Sequence, residues 1–284
     1  MEITESNLGR FRSWILERGR SDGTADLYTC HVRTSAADPK GLTHRLIAGR
    51  LAPNTVRSNL AALRAWAAFT KDAELARRLS DLRLPPARRV RHKKSLSVDD
   101  WRQAIRHLQT CQMPDAMRQV LLIMALRGLR SGDVLRIRKP DAQRSLDTGK
   151  LIYEGKGRKR TEISVEPIRG PIEALVAMRG WVVVRDLLGT SKSPKAMSRK
   201  VWRAARRTAA QVGIAEMNPH RYRHTFAQNY LSQLAGDPNA IVKLQRYMGW
   251  ESMATAARYV QDVSQDELDR IGAGLISGLL APSG

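Results

Sequence analysis

Residues 82–97, LRLPPARRVRHKKSLS, restrict what this chain can fold into more than any other stretch. The adjacent Pro85 and Pro86 stop any helix that reaches them, because proline lacks the N–H that a helix interior needs and restricts the residue before it. The six Lys and Arg around them, together with His92, offer nothing to bury. A segment that is neither helical nor apolar reads as an extended connection, with a disordered hinge that has no role in binding as the alternative, and either divides the chain. We expect residues 1–84 to form one domain, 85–96 a basic interdomain linker and 97–284 a second domain. A length of 284 residues is sufficient for a core in each.

The first domain reads as helical. Leu8, Phe11, Trp14 and Ile15 recur at helical spacing within residues 5–20, a second helix is expected over 23–35 and a short one near 42–48. The clearest helix runs over 52–71, with Pro53 in its first turn and Val56, Leu60, Leu63, Trp66 and Phe69 as its buried stripe. Its other face shows Arg57 and Arg64, which suit either a solvated surface or contact with DNA.

In the second domain Ser97 is placed to cap a helix that carries Asp99 and Asp100 in its first turn. Residues 114–126 are apolar on most faces and read as a central helix stopped by Gly128, after which Ser131 would cap a short helix through Ile137. Two alternating segments, 151–154 and 160–165, are joined by Gly155-Lys156-Gly157-Arg158-Lys159, the pattern of a β-hairpin with a cationic loop. Beyond Pro167 the pattern is helical over roughly 168–188, 194–212, 219–234, 238–248, 252–260 and 264–279. The last of these has an apolar face that would close its own core or dock on a neighbouring subunit. The fold class expected is therefore mainly α with one small β-hairpin.

Charge narrows the partner. Forty-nine Lys and Arg stand against 27 Asp and Glu, a formal net charge of +22 spread along the whole chain. Each cation placed on a phosphate releases a condensed counterion, so a polyanion is the partner that makes such self-repulsion tolerable. There is no run of eighteen apolar residues, and the opening MEITESNLGRFRSW has neither the basic nor the apolar region of a signal peptide. The expectation is a soluble cytoplasmic protein associated with the nucleoid, with no membrane partner. Cys30 and Cys111 form no zinc spacing with any histidine and are expected as small buried residues; no metal and no cofactor are implied.

The chemistry-bearing groups fall into separate clusters: Arg130, Lys156, His220 with Arg223, and Trp250 with Tyr259 nine residues on. Any one Arg or His among them would by itself be a surface or capping residue, and Tyr259 is one of six tyrosines. Tyr222 and Tyr230 read as core or interface residues and His224 as a structural histidine. The ordered set is what changes the reading. GLRSGDVLRI (128–137), EGKGRKRTEISV (154–165), NPHRYRHTFAQNYL (218–231) and YMGWESMATAARYV (247–260) closely resemble the motifs of the tyrosine recombinase, or phage integrase, family across the whole second domain.

That resemblance implies an Xer-like or Cre-like two-domain member, with a helical, SAM-like core-binding domain before a mostly α catalytic domain and no separate arm-site-binding module. It implies Arg130, Lys156, His220, Arg223, Trp250 and Tyr259 as the catalytic set, with Asp133 in support where the family more often has glutamate. Arginine suits the developing charge on non-bridging oxygens because its planar fork holds phosphate in two places. A tyrosine phenolate can store the bond energy of the cut strand as a covalent link. Lys156 would protonate the departing 5′ oxygen, with Lys159 as the alternative, and His220 would assist at the phosphate or the tyrosine proton. Trp250 stands where histidine is more frequent; its indole can donate to a phosphate oxygen but cannot carry a proton.

The partners so implied are a double-stranded core site with inverted repeats, a homotetramer on that DNA, and an accessory or partner recombinase. Arg57 and Arg64, with Arg88, Arg89, Arg91, Lys93 and Lys94 of the linker, are candidate DNA contacts. Two other readings are kept. A type IB topoisomerase shares the arginine, lysine and tyrosine logic, although lysine usually stands there where His220 stands here. A sequence-specific DNA-binding protein without catalysis would share the charge alone.

Overall fold

The computed structural model describes residues 2–35, 38, 40–41, 44–45, 48–82, 95–155, 160–189, 194–250, 253 and 255–256. The chain divides into two compact units, Met1–His92 and Lys93–Gly284. The expected short helix near 42–48 falls largely outside the described residues, as do the linker cations, the hairpin loop 156–159, most of the helix expected at 252–260 and the whole of 264–279.

In the first unit the described helices are α1 (Glu5–Glu17), α2 (Asp22–Ser35), α3 (Pro53–Thr70) and α4 (Ala73–Ser80). Thr4 caps α1 by accepting from the Asn7 N–H at 3.2 Å. Phe11 is fully buried among rings, edge-on to Trp66 at 5.2 Å and 5.5 Å from Phe69. Val56, Leu60, Leu63 and Trp66 of α3 are buried as the periodicity requires, and Phe69 is half-buried against them. Helix α4 was not expected from the sequence. Asp72 starts it by accepting from the Leu75 N–H at 2.9 Å, and Leu75 and Leu79 supply its buried side. Cys30 is exposed, contrary to the expectation for it, because it lies on the outward side of α2, whereas Cys111 is buried.

The second unit opens with α5 (Val98–Thr110), capped by Ser97, and α6 (Asp115–Arg127). Along α6 every residue from Val120 to Ala125 is buried, so this helix is the axis of the core. A single turn, α7 (Ser131–Val134), follows, and its N-cap position is held by Arg130 rather than by Ser131 as the sequence suggested. Helix α8 (Lys139–Thr148), with Pro140 in its first turn, then leads into an antiparallel pair, β1 (Lys150–Glu154) and β2 (Arg160–Ser164), in which Tyr153 faces Thr161.

The single helix expected over 168–188 is three pieces: a 3-10 turn, α9 (Arg169–Ala177), and a second 3-10 turn, Val184–Leu188. Helix α9 ends because Met178 is extended and the Trp181 indole donates to the Leu175 and Met178 carbonyls, both at 3.1 Å. Val183 is then extended and bridges to Arg138 before the second 3-10 turn begins. The unit continues with α10 (Pro194–Ala210), α11 (Pro219–Gln233) and α12 (Ala240–Met248). Its N-terminal entry is pinned from inside, since the Leu96 N–H donates to the Thr225 hydroxyl at 3.1 Å, directly behind the start of α11.

The ring cluster around Phe11 yields a test. Phe11→Ala should cost about 3–5 kcal/mol, read from urea unfolding of the first unit by the fluorescence of Trp14 and Trp66. A loss under about 1 kcal/mol would mean that these rings do not carry the core.

Candidate active site

Two helices of the second unit end at one place, and both end on glycine. Helix α6 stops at Gly128, in the left-handed region at φ 66°, and α12 stops at Gly249, at φ 63°. Helix C-termini leave carbonyls without partners inside the helix and concentrate partial negative charge there. Two arginines meet those carbonyls. The Arg223 guanidinium donates through Nη1 to the Gly128 carbonyl at 2.6 Å and through Nη2 to the Met248 carbonyl at 3.2 Å. Arg127 donates through Nη2 to the Tyr247 carbonyl at 2.9 Å. Arg223 and Arg127 are 2% and 3% exposed, so both charges are inside the protein.

Arg223 reaches this position because α11 begins where it does. The Asn218 side chain accepts from the backbone N–H groups of His220 and Arg221, at 2.9 and 3.0 Å, and Pro219 occupies the first turn. Residues three apart then share a side of the helix, so His220 sits on the opening turn, exposed, one turn before the buried Arg223. Trp250 follows Gly249 directly and is buried, with its ring 5.2 Å from the Arg223 guanidinium. Its turn is fixed from both sides: the Trp250 N–H donates to the Gln245 carbonyl at 3.0 Å, and the Gln245 amide donates back to the Trp250 carbonyl at 3.1 Å.

Arg130 lies two residues beyond the Gly128 carbonyl that Arg223 holds, and its side chain is 40% exposed. The buried carboxylate of Asp133 is shared unequally. Its Oδ1 is 2.7 Å from Arg136, and its Oδ2 is 3.7 Å from Arg130. Arg136 in turn donates to the Glu154 carbonyl at 3.0 Å, which joins the α7 turn to the end of β1. Tyr153, buried on β1, has its hydroxyl pKa raised by burial and by the Asp133 charge, with Arg223, Arg127 and Arg130 pulling the other way. That ring therefore lies within electrostatic reach of all three arginines and of Asp133.

The sequence-derived set is thus partly assembled. Arg130, Asp133, Arg223 and Trp250 are linked by these contacts, with His220 on the adjoining turn. Lys156, Lys159 and Tyr259 lie outside the described residues, as do Arg88, Arg89, Arg91, Lys93 and Lys94. In the first unit Arg57 is half-buried on α3, and Arg64 donates to the Leu79 carbonyl at 3.4 Å, tying α3 to α4. His224 is buried, and Tyr222 packs in the core with its ring 5.6 Å from Trp101.

Three features escaped the sequence reading. Arg127 lies just outside the quoted motifs, and Arg136 lies inside GLRSGDVLRI but was given no role. Helix α10 was read only as a helix, yet Arg199, Arg203, Arg206 and Arg207 are exposed on it beside an exposed Trp202, with Met197, Val201, Ala205 and Ala209 buried behind. The absence of any acid from PKAMSRKVWRAARRTAA was the legible signal.

The phage integrase family model matches residues 94–266. Among curated proteins, the tyrosine recombinase XerA of Thermococcus kodakarensis is 24% identical over 267 residues, covering 88% of this chain and 89% of its own length. The tyrosine recombinase XerC of Alcanivorax borkumensis is 27% identical over 220 residues, covering 72% and 68%. Among solved structures, a lambda integrase dimer bound to a COC′ core site superposes with a TM-score of 0.64 at 14% identity, over 92% of this chain and 96% of that one. A pre-cleavage complex of XerH with its difH substrate gives 0.56 at 16% identity, over 78% and 67%. The likeness to these structures establishes the fold.

The helix junction gives its own prediction. A Cβ at Gly128 would lie 2.8 Å from the Phe226 ring at a positive φ, whereas one at Gly149, at φ 71°, would meet open space. Gly128→Ala should therefore cost about 2 kcal/mol or more, and Gly149→Ala only about 1 kcal/mol. Chemical denaturation of both variants is the check, and equal losses would contradict the packing described.

Proposed function

We propose that this chain, which belongs to the phage integrase family, is a tyrosine-type site-specific DNA recombinase that cuts and rejoins strands through a phosphotyrosyl intermediate. The observation that carries the reading is the convergence of Arg223, Arg130 and Trp250 where α6, α11 and α12 meet. Fixed guanidinium groups are what a phosphodiester needs when charge grows on its non-bridging oxygens, because they stand ready without solvent rearrangement.

In this reading Arg223 and Arg130 bind the scissile phosphate, and the Trp250 indole supports it. The Tyr259 oxygen attacks phosphorus, the bond to the 5′ oxygen breaks, and the strand's 3′ phosphate is left on the tyrosine. His220 takes the phenolic proton, and Lys156 gives a proton to the departing 5′ oxygen, so the free hydroxyl can later reverse the step on another strand. Two such exchanges, passing through a Holliday junction, recombine two duplexes. The DNA partner would be a core site with inverted repeats, held by four copies of the chain.

Charge supports the same partner. Beyond the net +22, the exposed arginines of α10 and a cleft lined by Arg136, Arg138, Arg144, Arg160 and Arg185 offer cations to a phosphate backbone. Among the described residues no helix is long and apolar enough to cross a membrane. A cytoplasmic, DNA-associated location follows from the reading.

The test is a suicide duplex nicked beside the cleavage position, which traps the covalent complex by letting the freed fragment diffuse away. The parent protein should accumulate an adduct, and Tyr259→Phe should form none. An adduct that persists in Tyr259→Phe would overturn the assignment. Relaxation of supercoiled plasmid without any sequence requirement would point to the topoisomerase reading instead.

A further inference from the structure

Arg127 takes no part in the chemistry above, and its placement is unusual. It is a guanidinium with 3% exposure and, among the described residues, no carboxylate partner. Its contacts are the Tyr247 carbonyl at 2.9 Å and the Tyr247 ring, over which its central carbon lies at 3.5 Å. Its Nε is buried without a hydrogen-bond partner among the described residues. Burial pushes the Arg127 pKa below the ordinary arginine value, the direction expected for a charge held at a cost. A charge so held is weak evidence of a stabilising role, since apolar residues of similar volume are often neutral or stabilising there, and this points to another role.

The seam it closes suggests what that is. Arg223 joins the end of α6 to the end of α12 by holding the Gly128 and Met248 carbonyls. Arg127 joins the same two ends one residue back on each side, from its own position on α6 to Tyr247. Tyr247 is clamped in turn by stacking on Tyr230 at 4.6 Å and on Phe226 at 5.8 Å, both from α11. With a single tie, the α12 end could pivot about the Met248 carbonyl and carry Trp250 with it. Two ties at adjacent residues fix its rotation and so fix the frame from which Arg223 and Trp250 face the phosphate.

We propose that Arg127 is a positioning residue for strand cleavage: through Tyr247 it locks the last turn of α12 against the α6 exit and holds Arg223 and Trp250 in register with the scissile phosphate. The proposal rests on the recombinase reading and concerns a group that does not itself touch DNA. Displacements of about an ångström at such a site can cost on the order of a hundredfold in rate. Removing Arg127 should therefore act on cleavage far more than on folding or DNA affinity.

The experiment uses the full chain and a suicide duplex whose site has been selected from random-sequence DNA by its binding to this protein. Arg127→Met should keep thermal stability and duplex affinity at parental levels while the single-turnover rate of adduct formation falls by about a hundredfold. Tyr247→Leu, at a half-buried ring, removes the stacking partner and should give a smaller loss of the same kind. The second readout is a duplex in which a methyl group replaces one non-bridging oxygen at the scissile position. That linkage carries no charge for Arg223 to meet, so the deficit of both variants should shrink by roughly tenfold or more. An unchanged adduct rate, a rate that falls only in step with thermal stability, or a deficit of the same size on the uncharged linkage would each overturn the proposal. A parent protein that forms no Tyr259-dependent adduct would instead sink the recombinase reading, which keeps the two failures apart.

Discussion

The grip of Arg223 on two backbone carbonyls is the interaction on which the rest of the second unit's arrangement turns. An arginine 2% exposed has to find acceptors, and here they are the exposed ends of two helices, each stopped by a left-handed glycine. The requirement runs both ways. Without glycine at position 128 the carbonyl could not be presented without the added Cβ striking Phe226. Without the arginine, the Gly128 and Met248 carbonyls at the two helix C-termini would lose the cation that holds them together. Local backbone geometry, core packing and the charge of the site are therefore one problem with one solution.

The electrostatic consequence is an excess of positive over negative charge among these groups. Tyr153 lies within electrostatic reach of Arg127, Arg130, Arg223 and the buried carboxylate of Asp133, and that carboxylate lies closer to Arg136 than to Arg130. Such an excess is what a phosphate diester would complete. It also explains the division of labour between exposure and burial. Arg130 and His220 reach solvent, while Arg223 and Arg127 are buried and held by backbone carbonyls. Asp133 and Arg136 carry the same frame on to the end of β1 through the Glu154 carbonyl.

Much of this was legible in the sequence, for reasons that differ from one part to the next. The α3 stripe and the Ser97 cap follow from spacing alone, because a helix of that periodicity has only one face to bury. The HRYR turn and the GLR turn were recognisable by residue type and order. What the sequence hid were contacts made across the fold. The Trp181 indole ends α9 by bonding carbonyls behind it, and nothing in a run rich in valine and leucine announces that. Arg127 looks like any basic residue in the last turn of a helix, which is usually a surface position. Only the approach of Tyr247, 120 residues away, turns it into an interior charge.

Tyr259 is the proposed nucleophile, yet a second tyrosine, Tyr153, lies within electrostatic reach of the arginines. Tyr153 sits among Arg127, Arg130 and Arg223, but burial raises its hydroxyl pKa and disfavours the phenolate. Mass-spectrometric sequencing of the peptide that retains nucleotide after nuclease digestion of the trapped complex decides between them. The account predicts the modification on Tyr259, linked through the strand's 3′ phosphate. Nucleotide on Tyr153, or a linkage through a 5′ phosphate, would contradict it.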